Sequence, residues 1–81
     1  MSTFIFEEPL MTKFQERLIA LRKTAGISQT ELGEIVGLAQ RTISNYENKE
    51  SEPSIETLIK LADYFDVSVD YLIGRIDNQN S

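Results

Sequence analysis

Within nine consecutive positions the chain sets Gln40, Arg41, Thr42, Ser44, Asn45 and Asn48, followed at once by Lys49. Side chains of these types can read nucleic-acid base edges. Gln and Asn bond bidentately to adenine and Arg to guanine, each good pair discriminating by about 1 to 3 kcal/mol, while Thr and Ser suit a base or a phosphate. Taken singly, each is equally well an ordinary polar residue on a solvated helix. Ile43 and Tyr46, three apart, form the apolar pair that turns such a helix inward and leaves the polar residues on its remaining faces.

That helix must be held by what precedes it. Ser28 followed by Glu31 is a capping box and fixes a helix start at Ser28. Leu32, Ile35 and Val36 supply an apolar stripe, and Gly37 ends the helix as a C-terminal cap. Gly33 is a small residue where two helices crossing steeply through a short turn bring their backbones together.

These residues resemble the helix-turn-helix of the phage repressor and Cro type, to which many small bacterial regulators belong. The matching positions are Gln29, Leu32, Gly33, Val36, Gly37, Ile43, Ser44, Glu47 and Asn48, and the resemblance covers roughly residues 14–72. It implies that the helix at residues 40–48 enters a DNA major groove, N-terminal turn first, with Gln40, Arg41 and Asn45 at base edges. It implies phosphate contacts from the helix start at Ser28 with Gln29 as side-chain partner, and from Asn48 and Lys49 at the far end. It also implies an ion pair between Arg22 and Glu47. Two departures stand out. Ala39 occupies a position commonly held by a capping Ser or Thr, forgoing about 1 kcal/mol. Lys49 stands at a common Gly position, and Glu50 and Glu52 where basic or neutral residues are usual, which weakens nonspecific DNA binding.

The remaining helices follow from the same signals. Thr12 with Gln15 reads as a capping box opening a first helix with Phe14, Leu18, Leu21 and Ala25 inward and Gly26 closing it. Pro53 and Ser54 open a fourth helix with an apolar stripe of Ile55, Leu58, Leu61, Ala62 and Phe65. Ser68 caps a short fifth helix, with Asp70 near its positive end, Val69 and Leu72 inward and Gly74 after it. Residues 1–11 form an N-terminal extension set off by Pro9, with an apolar cluster at Phe4, Ile5 and Phe6. Residues 75–81 form a polar tail expected to fray.

Composition narrows the classes. Eighty-one residues make one small domain and leave no space for a sensor domain. The absence of Cys and His excludes disulfides, zinc sites of the usual kind and Cys-His or Ser-His nucleophiles. No apolar run approaches the ~20 residues of a membrane helix. No carboxylate pair suggests a catalytic pocket. The net charge of -5 argues against binding nucleic acid through overall electrostatics. Its distribution tempers that: Lys13, Arg17, Arg22, Lys23, Arg41 and Lys49 all precede Glu50, so one face can be neutral or mildly basic.

The expectation is an all-α, five-helix repressor-like domain over residues 12–74: a cytoplasmic, non-enzymatic, cofactor-free and metal-free regulator of transcription. Its partners would be double-stranded DNA and a second copy of the chain on a palindromic operator, since one helix reads only a few base pairs and half-sites about 34 Å apart multiply specificity. Tyr64, Tyr71, Ile73 and Ile76 are dimer-interface candidates, with core completion an open alternative for Tyr71 and Ile73. The competing expectation is a protein-binding module of the same fold, such as an antitoxin or partner-docking subunit, favoured by the acidic balance and by the apolar extension at Phe4, Ile5 and Phe6.

Overall fold

The structure is a computed structural model describing residues 13–78. The N-terminal extension and the capping role of Thr12 lie outside the described residues. Five helices follow in order among those residues: α1 (Phe14–Ala25), α2 (Gln29–Val36), α3 (Gln40–Glu47), α4 (Ile55–Phe65) and α5 (Val69–Ile73), with no strand. α3 packs on α2 and α1, α5 on α1 and α4, and α4 also on α2.

Local chemistry sets most of the boundaries. Ser28, Ser54 and Ser68 sit in extended backbone at the starts of α2, α4 and α5, and their hydroxyls accept from the N–H three residues on. At α2 the capping box is complete: Glu31 Oε1 accepts from the Ser28 N–H at 2.8 Å and Ser28 Oγ from the Glu31 N–H at 3.0 Å. α1 begins differently from expectation. Lys13 is its N-cap, with no side-chain cap bond, and Gln15 is already in the first turn. Ala39 likewise leaves α3 uncapped by a side chain.

All five helices close in the same way, the N–H beyond the left-handed or terminal residue reaching back to a carbonyl five positions earlier. The bonds are Ile27 to Arg22, Leu38 to Gly33, Glu50 to Asn45, Val67 to Ala62 and Arg75 to Asp70, at 2.7 to 3.3 Å. Gly37 takes the left-handed conformation there with φ 79° and open space around it, so its role is conformational. After α3 and α4 the same conformation falls on Lys49, φ 63°, and Asp66, φ 58°. Lys49 thus occupies a backbone state that favours the glycine expected at its position.

The core gathers Phe14, Leu18, Leu32, Val36, Ile43, Tyr46, Leu58, Leu61, Ala62, Leu72 and Ile73 from all five helices. Leu21, Phe65 and Val69 pack partly buried against it, and three residues expected inward are exposed. Ala25 is exposed at the end of α1, Ile35 is 47% exposed and Ile55 67% exposed. Leu32 and Val36, four apart, take the inward line of α2, leaving Ile35 to one side, and Ile55 opens α4 ahead of the first turn that meets the core. Ile73, for which interface and core were both open, is buried, because the single turn of α5 lays both Leu72 and Ile73 against the other helices.

Gly33 fixes the angle between α2 and α3. A Cβ built on it would overlap the Leu38 carbonyl oxygen and sit 3.4 Å from the Ala39 carbonyl carbon. Both obstacles are backbone, which cannot rotate away as a side chain could. Gly33→Ala is therefore expected to lose about 1 to 3 kcal/mol in urea unfolding, despite the ~1 kcal/mol that alanine gains over glycine in a helix interior; an unchanged midpoint would show that the crossing does not depend on this approach. At Lys49 the sign reverses. Lys49→Gly is expected to stabilise by about 1 kcal/mol and Lys49→Ala is not, which the same unfolding curves would read.

Candidate nucleic-acid interface

α3 is gripped by the domain from one side. Ile43 and Tyr46 are buried, Tyr46 meeting Phe14 edge to face with ring centroids 5.8 Å apart. On its other faces Gln40, Arg41 and Asn48 are exposed, as is Lys49 just beyond, while Thr42, Ser44 and Asn45 are half-buried. The structure therefore displays on one short helix and its end the polar residues expected to act together.

The last residue of α3, Glu47, is the buried acid of the described core. Arg22 of α1 donates to both its oxygens, Nε to Oε2 at 2.7 Å and Nη2 to Oε1 at 3.0 Å, and donates from Nη1 to the Ile27 carbonyl at 2.9 Å. Gln29 Nε2 adds a third bond, 2.9 Å to Oε1. Burial pushes the Glu47 carboxyl up, but the bonds from Arg22 and Gln29 and the nearby positive charges outweigh it and hold the group below its ordinary value. The bond to Glu47 in turn raises the Arg22 guanidinium above its ordinary value against the effect of burial.

From this buried pair a line of hydrogen bonds runs to the surface. Gln29 Oε1 accepts from Gln40 Nε2 at 2.6 Å, so Arg22, Glu47, Gln29 and Gln40 link α1, α3 and α2 and return to the first residue of α3. Arg41, Thr42 and Asn45 carry no side-chain hydrogen bond among the described residues, so their donors and acceptors stay available. Asn48 Nδ2 donates to Ser44 Oγ at 3.3 Å, tying these two to each other. Ser28 is engaged in its cap, while the N–H groups of Gln29 and Thr30 in the first turn of α2 lack a carbonyl partner within the helix, an arrangement suited to an anion.

A helix-turn-helix family model matches residues 18–72. The chain belongs to that family. Within it the likeness is to phage repressors and related regulators: 38% identity over 60 residues to the transcriptional regulator ImmR of Bacillus subtilis, covering 74% of this chain and 47% of that protein. The repressor protein C2 of Salmonella phage P22 is 41% identical over 66 residues, covering 80% of this chain and 31% of the relative. A crystal structure of the P22 c2 repressor in complex with a synthetic operator superposes with a TM-score of 0.72 at 39% identity, over 75% of this chain and 92% of that one. The chain spans about half the length of the first curated relatives it matches.

Against the repressor-type frame, two charge assignments change. Of the six bases in the first part of the sequence, Arg22 is committed to Glu47, and Arg17 and Lys13 to Asp77 at 2.8 and 3.6 Å. The surface around α3 therefore depends on Arg41, Lys49 and Lys23 rather than on a generally basic half. Arg17 was not singled out by the sequence. It donates from Nη1 to the carbonyls of Tyr71, at 2.6 Å, and Ile76, at 2.5 Å, and lies 4.1 Å over the Tyr71 ring. These bonds hold residues 76 and 77 onto α1, where a frayed tail was expected. The bond from Arg17 and the charges of Lys13 and Arg17 hold the Asp77 carboxyl below its ordinary value. Of the interface candidates, Tyr64 is exposed and stacked edge to face on Phe65 at 5.0 Å, while Tyr71 and Ile76 are half-buried in the Arg17 clamp. No described helix is long and apolar enough to cross a membrane.

Acid should act on the Glu47 pair. A carboxyl whose folded value lies below its unfolded one stabilises fully above the unfolded value, and that contribution disappears as the pH falls through the folded one. Unfolding curves taken downward from pH 7 should show stability falling through the range near 4 and below. Glu47→Gln should be less stable at pH 7 and lose less on acidification. Parallel acid slopes in the two proteins would remove Glu47 as a source of the dependence.

Proposed function

We propose that this chain is a sequence-specific regulator of transcription that binds operator DNA through α3, acts most simply as a repressor by occlusion, and binds as a dimer on a palindromic site. The observation that carries this reading is the one-sided anchoring of α3. Ile43, Tyr46 and Glu47 are locked into the core while Gln40 and Arg41 are exposed and Asn45 half-exposed, all three with base-reading chemistry. The likeness to a repressor solved with its operator supports it.

In this reading Gln40, Arg41 and Asn45 meet bases, Thr42 and Ser44 meet a base or phosphate, and the start of α2 at Ser28 and Gln29 grips one strand. Asn48 and Lys49 grip the other. The functional domain runs over residues 12–74 with Ile76 and Asp77 clamped to it by Arg17, and the exposed Tyr64 contributes to pairing of two copies. With net charge -5, affinity comes from placed contacts more than from the general field.

Selection of bound sequences from random duplex DNA at near-physiological salt tests this directly, run beside Gln40→Ala and Arg41→Ala. The expected outcome is a palindromic consensus that loses about 1 to 3 kcal/mol of discrimination at one position per half-site in each variant. If no sequence is enriched by protein whose circular dichroism shows an intact fold, the DNA-reading assignment fails and a protein partner becomes the target of the search.

A further inference from the structure

We propose that Glu47 is a positioning residue that sets which way round the Gln40 side-chain amide faces, and so which base edge α3 accepts. The proposal rests on the reading of α3 as the base-reading helix and adds to it the origin of one specificity.

A carboxylate can only accept hydrogen bonds, whereas a glutamine amide has a donating end and an accepting end. Glu47 Oε1 lies 2.9 Å from the Gln29 amide, so the end of Gln29 that faces it must be the NH2 group. Its carbonyl oxygen is thereby turned toward α3. Gln40 meets that oxygen at 2.6 Å, so its own NH2 group must point inward. One N–H and the carbonyl oxygen of Gln40 remain for the outside.

A donor beside an acceptor is the complement of adenine, which offers N7 as acceptor and its N6 amino group as donor, and it is a mismatch for guanine, whose N7 and O6 both accept. The polarity begins at a group that cannot reverse. Arg22 holds the Glu47 carboxylate with two bonds at 2.7 and 3.0 Å, and the side chain of Glu47 is only 5% exposed. A buried ion pair is thus converted, through two amides, into a donor and acceptor order on the surface of the reading helix.

The test has one arm without DNA and one with it. In the unbound protein, NMR couplings across hydrogen bonds should connect the Gln40 side-chain N–H with the Gln29 side-chain carbonyl, and not the reverse. Gln29→Lys places a donor-only group between Glu47 and Gln40 while leaving the Arg22 pair intact. Gln40 must then turn its oxygen inward and show two N–H groups outward, so selection from random duplex DNA should move the preference at that position from adenine to guanine by roughly tenfold. Gln29→Met removes the relay, and there the adenine preference should fall with no guanine preference replacing it. An adenine preference unchanged in both variants, or a coupling that runs from Gln29 to the Gln40 carbonyl, would overturn the proposal. Should the coupling run as described while the unaltered protein enriches no sequence, the DNA-reading assignment and the base choice fall together, and the polarity of the relay is seen to stand apart from them.

Discussion

One carboxylate under the surface constrains much of this molecule. Glu47 is ionised in a site that penalises charge, and the fold answers with Arg22 from α1 and Gln29 from α2. Neither partner is close in sequence. The ion pair spans 25 positions and the glutamine bond 18, so the pair exists only when three helices are already in place. Breaking such a pair by removing one partner costs roughly 3 to 5 kcal/mol, while the intact pair contributes less because both charges had to leave water. Its effect is therefore chiefly on which arrangement forms. The end of α3 has one position relative to α1 and α2, and other packings of the same apolar residues would strand a charge.

The opposite end of α3 is fixed by a different force. Gly33 lets the Leu38 carbonyl come against α2, and Leu38 N–H closes on the Gly33 carbonyl at 2.7 Å, so the turn between the helices is specified by backbone contact. Eight residues are too few for a helix to persist alone in water, and α3 lacks even a side-chain cap. Its helicity and its direction are both imposed by tertiary contacts, at Gly33 before it, at Ile43 and Tyr46 along it and at Glu47 at its end. Of the outward residues, Gln40 is held by the relay through Gln29 and Asn48 by its bond to Ser44, while Arg41 has no such tie among the described residues.

What the sequence disclosed follows the range of the forces involved. The caps at Ser28, Ser54 and Ser68 and the closure at Gly37 were legible because donor and acceptor lie within a few residues and demand particular side chains. Periodicity identified the inward lines of α2 and α4 but misplaced Ile35 and Ile55. It reports which residues share a face and carries no information on where the covering neighbour ends. The Arg22 and Glu47 pair was legible only through resemblance, since nothing local marks two charges as partners. Arg17 could not be found at all in this way, because two of its partners are the carbonyls of Tyr71 and Ile76, 54 and 59 residues distant, and a backbone carbonyl has no sequence signature. The same blindness made the segment after Gly74 read as a frayed tail.

The commitment of the cations bears on how, in the proposed function, an acidic domain would approach a polyanion. Three bases, Lys13, Arg17 and Arg22, neutralise carboxylates within the domain, at Asp77 and Glu47. They are lost to any long-range attraction, which at physiological salt fades over about 8 Å in any case. What survives is short-range: Arg41 exposed on the N-terminal turn of α3, Lys49 at its end, the N–H groups opening α2, and the Gln40 amide bonded to Gln29. A surface of this kind gains little from an arbitrary stretch of phosphates, because charge contributes most of nonspecific affinity. It gains from a site whose base edges match its donors and acceptors. The acidic balance therefore lowers the background against which a specific site competes, and on the proposed reading it favours selectivity over affinity, with a second copy of the domain restoring the affinity that one copy lacks.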